Sequence, residues 1–237
     1  MKTSNILNHN LMLYPYRKST WLVIIFLLVI WPAFSVLVSS TGELPAEISN
    51  LTLEVYLPTL LVELLLILTV GWALLRSKES LATVGLIDFG FRNFAWGVLF
   101  LGLAFFFFSV LSQVFHGLDQ PKQIEQYLPR TKLDYFFWIV LSLFAAIAEE
   151  LSFRGFLITR LTPVLGNYGA AALLSSLAFG LGHVYQGIVG VIFTGIYGLL
   201  FALLFYWRRS IFPCLVAHFL QDALAPWLFH FAQSQPK

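Results

Sequence analysis

The sequence predicts an all-α, polytopic transmembrane helical bundle, and three observations predict it. Hydrophobic residues make up 59% of the 237-residue chain and charged residues only 11%, against about 25% charged in a soluble domain. Mean hydropathy is +0.81. The apolar residues gather into about seven runs, most near the ~20 residues that a helix needs to cross a bilayer core. The runs lie at 21–38, 57–75, 94–115, 136–156, 169–184, 188–207 and 211–231.

The first run follows a polar, basic stretch (1–20) and holds Trp21, Trp31 and Pro32. Ser39-Ser40-Thr41 is a weak cleavage signal, so this run reads as an uncleaved helix rather than a signal peptide. The second carries a lone acid, Glu63, which reads as a group reaching the interface or satisfied by a neighbour, against one lining a polar cavity. Phe105 to Phe108 surround the third helix and read as lipid contact. The fifth run is short, and the break before the sixth, Tyr185-Gln186-Gly187, is tight. Small residues at Ala171 and Ser175, and at Thr194, Gly198 and Ala202, recur every fourth position and mark helix–helix contacts. Trp21, Trp96, Trp138, Trp207 and Trp227 fall near run ends, as an interfacial belt does.

Basic loop residues set the orientation. Lys2, Arg17, Lys18, Arg76, Lys78, Arg92, Arg160, Arg208 and Arg209 share one side, which places the N-terminus in the cytoplasm. Glu43, Glu47 and Glu54 occupy the first loop, on the opposite side, although Lys122, Arg130 and Lys132 of the third loop dissent. A net charge of +2, thinly scattered, excludes a nucleic-acid partner. The single cysteine, Cys214, excludes an intrachain disulfide framework and reads as a small buried residue.

The chemistry concentrates near the end of the fourth run. Phe136 to Ala148 is uncharged, and Glu149-Glu150-Leu151-Ser152-Phe153-Arg154-Gly155 follows it. Ionisable groups in a membrane cost about 2.5–3.5 kcal/mol each on insertion scales, so they are paired or they work. Glu150 and Arg154 stand at i, i+4 with the acid first, the favourable order for an ion pair. Glu149 lies about 100° around the helix and needs a partner from elsewhere. His183 closes the fifth run, with Phe179 four residues before it to pack on the imidazole. His218 and Asp222, also i, i+4, let a carboxylate orient a ring. One glutamate, two histidines and an aspartate on three helices read as one shared polar site.

In order, these are EExxxR (Glu149, Glu150, Arg154), FxxxH (Phe179, His183) and HxxxN/D (His218, Asp222). The pattern resembles the CAAX-protease and bacteriocin-processing family of intramembrane peptidases and, more distantly, the eukaryotic CAAX prenyl endopeptidase. The resemblance covers Phe136 to Asp222. Asp222 stands where the eukaryotic members have asparagine, which removes a neutral amide donor there. The resemblance divides the chain into a cytoplasmic segment (1–20), N-terminal transmembrane helices (21–132) and a catalytic core (133–237).

It implies hydrolysis of a peptide bond within the bilayer, in a membrane-associated protein or peptide, as in bacteriocin processing. Glu149 would be the general base on a water and His183 would help hold that water. His218, oriented by Asp222, would stabilise the oxyanion. Glu150, Arg154 and Phe179 would support the site. It also implies a bacterial inner (plasma) membrane location. Glu149, His183 and His218 are a catalytic-zinc set by ligand type; the same residues hold a water without metal, and the family accommodates both. The contrasting expectation is a non-enzymatic carrier or scaffold with a buried Glu/His site, although the chain lacks the repeated halves of many carriers. The substrate cavity is expected to open laterally and toward the basic loops, near Ser152 and Gln221.

Overall fold

A computed structural model describes residues 16–41, 48–114 and 122–233. Lys2, Glu43, Glu47 and the expected third-helix end at Phe115 lie outside them. Among the described residues the chain is helical throughout, without strands. We number the main helices α1 (Lys18–Ser40), α2 (Thr52–Ser77), α3 (Phe91–Gln113) and α4 (Lys132–Leu165). They are followed by α5 (Tyr168–Leu181), α6 (Gly187–Arg208) and α7 (Phe212–Gln233).

Of the seven expected spans, five are long and apolar enough to cross a membrane. The fifth has 14 residues, too few for a ~30 Å hydrocarbon core. The seventh has 22 but carries His218, Gln221 and Asp222. The chain is an integral membrane protein, and its lipid-facing surface accords with that: Phe106 is 71% exposed, Leu68 67% and Leu61 67%. The run of phenylalanines is not wholly lipid-facing, however. Phe108 turns inward and stacks on Phe193 and Tyr197 of α6.

α4 is the central post, packed on α2, α5 and α7. Its start is fixed by a capping box. Thr131 accepts from the Asp134 backbone N–H at 3.1 Å, and the Asp134 carboxylate accepts from the Thr131 N–H at 2.9 Å. The same carboxylate accepts from the Thr52 hydroxyl at 2.8 Å, so α2 and α4 begin at one level. α4 runs for 34 residues, about 51 Å at ~1.5 Å per residue, and therefore overshoots the hydrocarbon. α5 starts beside the last turns of α4 and runs back along it to end beside its middle. That overshoot is how a short fifth helix still delivers His183 to the depth of Glu149.

The overshooting end is tightly closed. Glycine at 155 lets the loop after α2 approach: a Cβ there would meet the Val84 carbonyl oxygen at 2.7 Å. Arg160, a loop charge by its place in the sequence, is instead fully buried. It pairs with Glu79, donates to the Thr83 carbonyl at 3.1 Å and to the Thr159 hydroxyl at 2.6 Å, and lies over the Phe156 ring. The small residues serve the α5–α6 hairpin, where Gly180 meets Gly195 and Gly198 meets Ser176. Ser175 donates to the Phe153 carbonyl of α4 at 2.8 Å. Gly155→Ala is expected to lower stability by about 1–3 kcal/mol through this overpacking, read as a fall in the thermal unfolding midpoint of the detergent-solubilised protein.

Candidate active site

The backbone of α4 changes character where its acids stand. Up to Glu149 it is α-helical, and from Glu150 to Ile158 it makes i→i+5 (π-helical) hydrogen bonds, a widening that recurs at functional sites. Nothing in the residue types announces it. The two glutamates fall on either side of this change and have different surroundings.

Glu150 is fully buried. Its Oε1 lies 3.0 Å from Arg154 Nη1 and 2.9 Å from His218 Nδ1. The Arg154 approach is a close ion pair without hydrogen-bond alignment, since neither terminal guanidinium nitrogen has a hydrogen-bond partner. Arg154 is held between aromatic faces instead, with Phe179 at 4.2 Å and Phe201 at 5.0 Å from its central carbon. Cation–π contacts of this kind strengthen as water is excluded.

Glu149 faces two imidazoles. One carboxylate oxygen lies 3.8 Å from His183 Nε2 and the other 3.5 Å from His218 Nε2. Each ring is fixed from behind. His183 Nδ1 is 2.8 Å from the Phe179 carbonyl oxygen, so it donates there and leaves Nε2 turned to Glu149. The Phe179 ring packs edge-on against His183 at 4.8 Å between centroids. His218 donates from Nδ1 to Glu150 and stacks on Phe201 at 5.6 Å and 25°.

Asp222 lies 3.4 Å from the Nε2 of His218. The ring of His218 is therefore approached from both sides, by Asp222 at Nε2 as expected and by Glu150 at Nδ1, a contact the spacing does not show. Glu150 joins Arg154 to His218 rather than serving the arginine only.

Three further residues join the site without any signal in the motifs. Trp138, an interfacial tryptophan by its position in the run, donates its indole N–H to the Asp222 backbone carbonyl at 2.8 Å and braces α7. Phe201 supports both Arg154 and His218. Glu63 does not reach an interface: it is 4% exposed, and it interacts electrostatically with Glu149, His218 and Asp222.

Burial about the site is one-sided. Every residue from Leu151 to Leu161 is buried, Ser152 completely. In the other direction exposure rises, to 15% for the His183 side chain, 31% for Asp222 and 50% for Tyr185. The site thus opens toward the end where α2 and α4 start. Of the two residues expected beside the opening, Ser152 is completely buried and Gln221 only partly so, which closes the expected mouth on the Ser152 side.

By type, Glu149, His183 and His218 suit a zinc ion. Among the described residues, however, no three His, Cys, Asp or Glu side chains are placed to hold one metal ion. The chemistry below uses the protein's own groups.

Residues 131–224 match a family model described as Type II CAAX prenyl endopeptidase Rce1-like. The matched segment contains every motif residue named above and bears out the resemblance that the motifs carry. No match was found among curated proteins or among solved structures.

Proposed function

Residues 131–224 belong to the CAAX-protease family, and from that premise we propose that the chain is an intramembrane endopeptidase acting on a membrane-associated protein or peptide. The observation that carries this reading is the placement of one carboxylate, Glu149, between the Nε2 atoms of two histidines fixed from behind.

A separation of 3.8 Å between Glu149 and His183 is too long for a direct hydrogen bond. A single water donating one hydrogen to each spans it with ordinary ~2.8 Å arms. Glu149 takes a proton from that water as the oxygen attacks the scissile carbonyl carbon. A carboxylate removed from water is the stronger base for this step. Negative charge then grows on the carbonyl oxygen. His218, with Nδ1–H held by Glu150, offers Nε2–H as an imidazolium whose charge Glu149, Glu150 and Asp222 balance. As the tetrahedral intermediate collapses, the C–N bond breaks and Glu149 passes its proton to the leaving amine. One water is consumed, and an acid and an amine result.

We further place the protein in a bacterial plasma membrane with its N-terminus cytoplasmic, from the basic loops, and take residues 133–237 as the catalytic core. On that orientation the open end faces away from the cytoplasm.

The test is proteolysis by purified protein in lipid nanodiscs against a peptide library, wild type beside Glu149→Ala. Cleavage in the wild type alone is expected, and cleavage that survives the substitution refutes the reading. Excess EDTA is expected to leave the activity in place.

A further inference from the structure

Glu63 of α2 is a buried acid that the hydrolytic steps do not use. Its Oε2 has no hydrogen-bond partner although the residue is only 4% exposed, and leaving such a group unsatisfied in the interior is costly. α2 packs along α4, and Glu63 interacts electrostatically with Glu149, His218 and Asp222, so it lies beside the same site.

Its depth can be measured along the helices, because the Thr52–Asp134 hydrogen bond sets the starts of α2 and α4 level. Glu63 stands about 11 residues beyond Thr52, or ~17 Å, and Glu149 about 15 residues beyond Asp134, or ~23 Å, at ~1.5 Å per residue. Glu63 is therefore ~6 Å nearer the open end than the catalytic carboxylate. An extended chain rises ~3.3 Å per residue, so this offset equals about two residues.

We propose that Glu63 is a substrate-binding residue whose free carboxyl oxygen accepts a backbone N–H of the extended peptide about two residues from the scissile bond. This rests on the endopeptidase reading. An orphan acceptor suits such a contact, because an extended peptide presents N–H donors in a row and binding satisfies the oxygen that folding leaves unpaired. The recognised feature is the peptide backbone, so the contact fixes register without selecting a side chain.

The experiment is a backbone N-methyl scan of one peptide. Binding is measured to full-length protein carrying Glu149→Gln, so that no turnover intervenes, with and without Glu63→Leu or Glu63→Gln. One N-methylation is expected to weaken binding about tenfold when Glu63 is present, the upper range of an ordinary hydrogen bond. Glu63→Leu should weaken the unmethylated peptide by the same factor and make that methylation silent. Glu63→Gln, which keeps an acceptor oxygen, should retain most of the affinity. Thermal unfolding of Glu63→Leu should match or exceed that of the parent, because an unpaired buried acid has been removed. An unchanged methylation profile in Glu63→Leu overturns the proposal, and so does failure of that variant to fold, since the acid would then be holding structure. Cleavage of the same peptide by the wild type reports separately on the endopeptidase reading and, by mapping the cut, on the two-residue register.

Discussion

Glu149→Gln is expected to lower peptide cleavage by about 10²–10⁴-fold, the usual contribution of a general base, while thermal unfolding stays at the wild-type value. The substitution preserves shape and leaves an amide that can still face His183 and His218. It removes only the capacity to take a proton. No close ion pair to an arginine or lysine is lost, because among the described residues the ion-pair contacts of Glu149 are with His183 and His218. Glu150→Gln, one position on, should behave differently. It discharges the carboxylate that both Arg154 and His218 approach, so folded yield and activity should fall together. Peptide cleavage and differential scanning fluorimetry on both variants separate the two roles.

Arg154→Ala is expected to destabilise the protein by about 3–5 kcal/mol, the penalty for breaking a buried pair from one side. Arg154 is 1% exposed and Glu150 is completely buried, so neither can recover hydration. The change also opens a gap between the Phe179 and Phe201 rings that sandwich the guanidinium. Lys is a poor replacement, since it lacks the flat face that lies on these rings. Recovery of folded protein after detergent extraction, followed by thermal unfolding, is the measurement. If Arg154→Ala proves silent and Glu149→Gln unfolds the chain, the two acids have their roles reversed.

Composition alone makes the helical membrane bundle legible, and spacing makes most of the site legible. Glu150 with Arg154 and His218 with Asp222 sit four residues apart, and helix periodicity brings each pair together regardless of the wider fold. What spacing does not encode is which group across the bundle meets which. Glu150 reaching His218 depends on how α4 and α7 pack, and so does Trp138 reaching the Asp222 carbonyl. Glu63 stands alone in an apolar helix, where a residue bound for a cavity and one bound for an interface look alike. Arg160 misleads for a related reason: if α4 ends near 156, a charge beyond it looks like a loop residue. The 34-residue length of α4 puts it on the helix and inside the protein. The direction of the opening is not legible in the loops, because loop charge reports orientation in the membrane, whereas access depends on side-chain burial.

The most direct test of a water activated by Glu149 is a single turnover in H₂¹⁸O with enzyme in excess over peptide. Direct attack by water places ¹⁸O in the new C-terminal carboxylate during that first turnover and leaves the Glu149 side chain unlabelled. Label appearing in the Glu149 peptide, with product carrying only ¹⁶O, would show that the carboxylate itself attacks the substrate and would contradict the account.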